Sequence, residues 1–234
     1  CSYEPSADTP IVVIPQMTYG GAQVQLELEW TPEAEARLEA ARVYREAHPA
    51  DGPEDRTRQV RCITYGIPRV GGLGAGYNSY YQIFQTPNHL VMLGEMIHDA
   101  RIIPLSDAPF VDGRIQQWMG DSRAHWDGDA LVVETRNFHN RGWIASSFAG
   151  GRIKGIPTSK ALHVMERFER VSESTIMWTV TIEDPNVFER PWNIAFPVWK
   201  KAPEDYVLFE YACHEGNRST DLTSPLFSDT SEQP

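Results

Sequence analysis

Four ionisable groups, Glu95, His98, Asp99 and Arg101, sit inside "HLVMLGEMIHDARIIPL", residues 89–105, a run otherwise rich in Val, Ile, Leu and Met. Charges inside an apolar strand are costly unless they are paired or hydrogen-bonded. Read as one continuous strand with its two-residue period, the run puts Glu95, Asp99 and Arg101 on one face and leaves His98 alone on the apolar other face. Asp99 and Arg101 then become same-face neighbours able to pair in bidentate fashion, which makes Arg101 the expected counter-ion of Asp99. An imidazole among apolar neighbours resists protonation and could act as a general base near neutral pH; the alternative is a core histidine bonded to a carbonyl. The whole group reads either as a structural ion cluster or as the floor of a site.

Two further constellations carry chemistry. In "YACHEGN" a strand period places Glu210 and His214 on one face, an arrangement that suits a carboxylate orienting a general base or supporting a metal-bound imidazole. In "WMGDSRAHWDGD" the same period puts Asp121, Arg123 and His125 on one face, with Trp118, Ser122 and Trp126 on the other. The polar face suits solvent, or the wall of a cavity; Asp121, Arg123, Trp118 and Tyr81 are the candidates for touching a ligand. His98, His214, Asp99 and Glu215 would make a set for zinc, iron or copper, yet no HExxH or HxH spacing brings them together and no metal is assigned. There is no GxSxG and no phosphate loop, and "GGLGAGY" lacks a surrounding βαβ unit, so no cofactor is expected.

These residues must be positioned by strands. From Arg61 onward "YNSYYQIFQT", "HLVMLGEMIHDARIIPL", "ALVVETRNF", "ALHVMERFERV", "TIMWTVTIED", "WNIAFPVW" and "YVLFEYACH" are rich in β-branched and aromatic residues and bounded by turn formers. Asp127-Gly128 marks a hairpin and "RVSESTI" a second turn. The pattern predicts a mainly β fold, a lipocalin-like antiparallel barrel or barrel-like sandwich over 61–217, because closure removes edge strands. Residues 1–60 supply a tether, one or two peripheral strands and a surface helix over 32–48, with Thr31 as N-cap and Pro32 at the first helical position. Residues 141–160 read as a long lid-like loop and 218–234 as an extended tail.

The chain has 234 residues, 41% of them hydrophobic, and a net charge of -11, which disfavours nucleic acid as a partner. No apolar run of about 18 residues exists to span a bilayer. Of three cysteines, Cys1 stands first and matches the lipidated N-terminus of a bacterial lipoprotein; Cys62 and Cys213 then remain as an even pair that an oxidising periplasm would join.

The motifs "QIFQTPNHLVMLGEMIHDARIIPL", "QWMGDSRAHWDGDALVVETRNF", "ERFERV", "EDPNVFERPW" and "YACHEGN", spread over about two thirds of the chain, resemble a large family of exported bacterial β-rich proteins to which no catalytic residues are assigned. The resemblance implies an exported β domain and names no activity. Two functions are compatible with the residues. One is a lipid-anchored envelope protein holding a small apolar or aromatic molecule, with cofactor-independent acid/base chemistry of lyase or isomerase type. The other is a non-enzymatic accessory lipoprotein subunit of a larger envelope or membrane complex.

Overall fold

The computed structural model describes residues 11–13, 28–48, 52, 55, 58, 61–64, 66–67, 80–146, 154–200, 205–213 and 215. In chain order the elements are β1 (Ile11–Val13), α1 (Pro32–Ala47), β2 (Tyr81–Gln85), β3 (His89–Gly94), β4 (Ala100–Pro104), β5 (Asp121–Asp127), β6 (Ala130–Arg136), β7 (Trp143–Ser146), β8 (Lys154–Pro157), β9 (His163–Ser172), β10 (Thr175–Glu183) and β11 (Trp192–Lys200). The fold is mainly β, as the alternation predicts. A six-stranded sheet runs β1-β11-β10-β9-β6-β5, a three-stranded sheet β2-β3-β4, and β7 pairs with β8. All pairings are antiparallel except β1 alongside β11, which is parallel.

Local chemistry explains the joints. Asp127 faces Ala130 across the β5–β6 hairpin, and Gly128, at the first loop position, has φ +60°, a conformation open to glycine without a Cβ clash. Thr31 caps α1 by accepting from the Ala34 N–H at 3.2 Å, with Glu33 and Glu35 in the first turn. Ala34 is wholly buried against the core while Arg42 pairs with Glu39 and Glu46 in solvent, so α1 lies on the surface as expected.

The six-stranded sheet turns one face inward. Leu131 and Val133 on β6, Val164 and Phe168 on β9, and Trp178, Val180 and Ile182 on β10 are buried there, each aliphatic side chain stabilising the fold by roughly 1.5–3 kcal/mol. Leu90, Met92 and Ile103 of the small sheet join the same core, so the small sheet lies across that face. A closed lipocalin-like barrel does not form among the described residues. β1 and β5 end the large sheet, and an isolated parallel bridge from Leu105 to Ala124 links the small sheet to β5. β4 directs its inward side chains onto the face of the large sheet, which stacks the two sheets instead of continuing one into the other.

Three expectations change. Residues 89–105 are a hairpin, not one strand: β3 ends at Gly94, a short 3-10 turn covers Met96–His98, and Gly94 N–H donates to the Asp99 carbonyl at 2.7 Å. Residues 206–212 are not a strand; they pack against this turn, Tyr211 lying on Met96 and Ile97. Within 141–160, Trp143–Ser146 and Lys154–Pro157 pair as the antiparallel strands β7 and β8, while 147–153 lie outside the described residues. Cys62 and Cys213 form the expected disulfide, with Cα atoms 6.1 Å apart across 151 positions of sequence. Cys1, His214 and the 218–234 tail lie outside the described residues. No helix among the described residues is long and apolar enough to cross a membrane.

Candidate functional site

Because the chain turns at residues 95–99, the four ionisable groups of the opening motif go to different places. Arg101 points inward from β4. Its Nη2 meets Glu166 at 2.6 Å and its Nη1 meets the other carboxylate oxygen at 3.2 Å, a bidentate pair. The two side chains are 10% and 1% exposed. Arg101 also donates to Ser122 and Thr135, which bond each other across β5 and β6 at 2.9 Å. The expected pairing of Arg101 with Asp99 is therefore wrong: alternation along β4 sends Arg101 to the opposite sheet, and Asp99, at the turn, accepts from the Thr64 hydroxyl at 3.0 Å. Register explains the choice of partner. Glu166 lies level with Val133 and Val180 on an inner face that is apolar apart from it, Ser122 and Thr135, and Arg101 is its counterpart on the small sheet. The two charges fix the stacking of the sheets.

Arg101 and Glu166 line an intersheet cavity of about 20 Å³ together with Tyr81, Met92, Asp99 and Trp178. A void of that size holds about one water molecule. The Nε of Arg101 is buried without a hydrogen-bond partner. A second void of about 10 Å³ lies under Trp118 and Phe138. Neither has room for an aromatic ligand with the sheets packed as they are.

Glu95 follows β3 and is 1% exposed. One carboxylate oxygen accepts from the Tyr206 hydroxyl at 2.6 Å and from the Phe209 N–H at 3.2 Å, which fastens the 205–213 segment to the end of the small sheet. Tyr206 stacks on Tyr80 with ring centroids 3.9 Å apart. Burial, then the hydrogen bond to Glu95 and the nearby Glu95 and Tyr80 groups, pushes the Tyr206 hydroxyl up to about 12. Glu210 of the same segment is exposed. The side chain of His98 and all of His214 lie outside the described residues, so neither enters the geometry. Among the described residues no group of three His, Cys, Asp or Glu side chains is placed to hold a metal.

Asp121 and Arg123 share the outer face of the large sheet, paired at 2.5 Å. Asp121 accepts from the Val111 N–H, and Arg123 donates to the Ala108 and Pro109 carbonyls while lying over the Phe110 ring. The pair anchors the preceding loop. Trp118 stacks on His139 at 4.5 Å. Burial, then the cations Arg141, Arg58 and Lys160, holds the His139 imidazole below its ordinary value.

The feature that sequence reasoning missed is on the other side of the small sheet. Its register puts Gln82 and Phe84, then His89, Val91 and Leu93, then Ala100, Ile102 and Pro104 on one outward face. No Asp, Glu, Lys or Arg is among them. Phe84 is 46% exposed and Ile102 66%. The outer face of the large sheet, in contrast, carries Arg123, Glu134, His163, Arg167 and Glu169. Antiparallel sheets ordinarily turn a polar side to water; this one does so on the large sheet and not on the small. Locating the turn at Ile97 was the signal needed to see it, because that turn decides which residues share a face.

Comparison with known proteins finds no matching family model, no matching curated protein and no matching solved structure.

Proposed function

We propose that this chain is an exported, non-catalytic accessory module that docks a protein subunit of a larger envelope assembly through the outer face of its β2-β3-β4 sheet. The observation that carries this reading is the uncharged, apolar composition of that face on a chain whose net charge is -11. Exposed apolar patches on soluble domains mark interaction sites. A lipid surface fits less well, since membrane-binding faces recruit Lys and Arg toward anionic headgroups and this one has neither. The Cys62–Cys213 disulfide accords with an oxidising, exported setting, as do the motifs resembling exported bacterial β-rich proteins. The reading is tested by purifying wild-type protein natively from its own envelope beside a Phe84→Asp/Ile102→Asp variant and a Val171→Asp control, Val171 being exposed on β9 to a degree between those two. Wild type and control are expected to bring the same subunit at a stoichiometric ratio and the double variant to lose it; retention by the double variant refutes the reading.

A second reading is favoured by the cavity between the stacked sheets, which we take as a sandwich-like, barrel-related arrangement. Tyr81, Met92 and Trp178 offer apolar walls beside the unpartnered Nε of Arg101, and a small aromatic molecule with a hydrogen-bond acceptor would complement them. Binding would require the sheets to part. Native mass spectrometry of endogenous protein that finds no retained small molecule removes this reading.

A further inference from the structure

Arg37, Arg58, Arg61, Arg141 and Lys160 come from four separate stretches of the chain, and a run of direct contacts ties those stretches together around His139. Arg58 lies over the Trp118 ring, its Cζ 5.7 Å from the ring centre, and Trp118 stacks on His139. The His139 carbonyl accepts from the Gly142 N–H at 2.9 Å, and its Nδ1 accepts from the Arg141 N–H at 3.1 Å. A Cβ at Gly142 would stand 3.0 Å from the Thr158 hydroxyl, so the bare Cα lets residues 141–142 lie directly on Thr158, two positions from Lys160. The Thr158 carbonyl accepts from Arg37 Nη2 at 3.4 Å. Arg61 follows Arg58 in one turn, closed by the Ile63 N–H on the Arg58 carbonyl. The charges act on one another: burial, then Arg61 and Arg141, holds the Arg58 guanidinium down at about 10.

Acids outnumber bases in this chain by 32 to 21, yet among the described residues no carboxylate pairs with Arg37, Arg61, Arg141 or Lys160. Seven other arginines each hold one. Like charges gathered without counter-ions repel, and an anion among them removes that repulsion. Two neutral donors are also left over. With its Nδ1 accepting, the uncharged His139 ring carries its proton on Nε2, which meets no acceptor among the described residues. The hydroxyl of Thr158, a residue 2% exposed, is buried without a partner, where buried donors ordinarily have one. We propose that the surface bounded by His139, Arg141, Thr158 and Lys160 binds a terminal phosphate group. A carboxylate would leave most of the positive charge standing, whereas a phosphate monoester carries about 1.5 to 2 negative charges at neutral pH and three oxygens that match guanidinium forks. A soluble phosphate and the monoester headgroup of phosphatidic acid offer the same oxygens. The site shares no residue with the outer face of β2-β3-β4, so its failure leaves the docking reading untouched.

The test titrates inorganic phosphate into the full, disulfide-bonded chain at constant ionic strength, sodium chloride making up the difference, and follows the His139 ring resonances by NMR. The expected result is a saturable shift as the Nε2–H gains an acceptor. Arg141→Gln/Lys160→Gln should raise the half-saturation concentration at least about tenfold, the equivalent of one charge-assisted hydrogen bond; both side chains are exposed, so the fold is kept. Arg114→Gln/Arg167→Gln removes the same two charges from exposed ion pairs elsewhere and should leave that concentration unchanged. Flotation with phosphatidylcholine vesicles, with and without phosphatidic acid, separates the sources. Capture that needs both phosphatidic acid and the Arg141 and Lys160 side chains assigns the phosphate to a headgroup, and saturation by inorganic phosphate without capture assigns it to a soluble ligand. A His139 shift that does not saturate together with no capture, or binding that the two double variants weaken alike, overturns the inference.

Discussion

Replacing Arg101 with alanine withdraws both N–H donors from Glu166, at 2.6 and 3.2 Å, and leaves a carboxylate that is 1% exposed among Val133, Val164 and Val180. Ser122 and Thr135 keep their mutual bond, so they do not turn fully to the stranded charge. Breaking a buried pair by removing one partner costs about 3 to 5 kcal/mol. With a urea dependence near 3 kcal/mol per molar, at the upper end for a chain of this size, the unfolding midpoint should fall by about 1 to 2 M. Removing both charges gives a different result. Arg101→Met with Glu166→Leu replaces the pair by apolar side chains of similar length and should be neutral or stabilising by about 1 to 4 kcal/mol, whereas each single change strands a buried charge at about 3 to 5 kcal/mol, so the double-mutant cycle should show a coupling of at least about 6 kcal/mol. Urea unfolding of wild type, Arg101→Ala, Arg101→Met, Glu166→Leu and the double variant at neutral pH, disulfide intact and followed by tryptophan fluorescence, measures each value; Trp178 lines the same cavity. Additive single effects, or a loss under about 1 kcal/mol for Arg101→Ala, would refute the claim that this pair fixes how the sheets stack.

Asp184, 1% exposed, accepts from the Ser159 N–H and hydroxyl, both at 2.6 Å, and from the Asn186 N–H; Asp184→Ala should cost roughly 3 kcal/mol by thermal or urea unfolding, since charge-assisted bonds are worth about 1.5–3 kcal/mol each. Reducing the Cys62–Cys213 bridge, or replacing both cysteines with serine, opens a 151-residue loop and should cost up to about 5 kcal/mol, read as a lower unfolding midpoint. Tyr206 is held neutral in the fold with its hydroxyl raised to about 12, so its contribution is complete below the unfolded value near 10 and lost as pH rises through about 12. The protection factors of the 206–211 amides, taken relative to the hydroxide-catalysed intrinsic rate, should fall across that window, and Tyr206→Phe should abolish that fall.

The sequence by itself determined whatever depends on nearest neighbours. The caps and proline at Thr31-Pro32 made α1 legible, Asp127-Gly128 located the β5–β6 hairpin, and alternation in β9 and β10 marked a face that has to be buried. Cysteine arithmetic paired Cys62 with Cys213. The opening motif was not legible in the same way, because the position that takes the left-handed conformation in its turn is not a glycine or asparagine: Ile97 adopts φ +62°, a conformation that costs a β-branched residue about 1–3 kcal/mol. Burial of Met96 and Ile97 against Tyr211, together with the Glu95 bonds to Tyr206 and Phe209, offsets that strain. Those partners lie more than a hundred positions away, beyond any local pattern. A two-residue period carried through an unmarked turn assigns faces without regard to the reversal, and so Arg101 was matched to Asp99 beside it. Only the stacking of two sheets brings Glu166 to Arg101, and only that stacking decides which side of β2-β3-β4 is core and which is left apolar toward solvent.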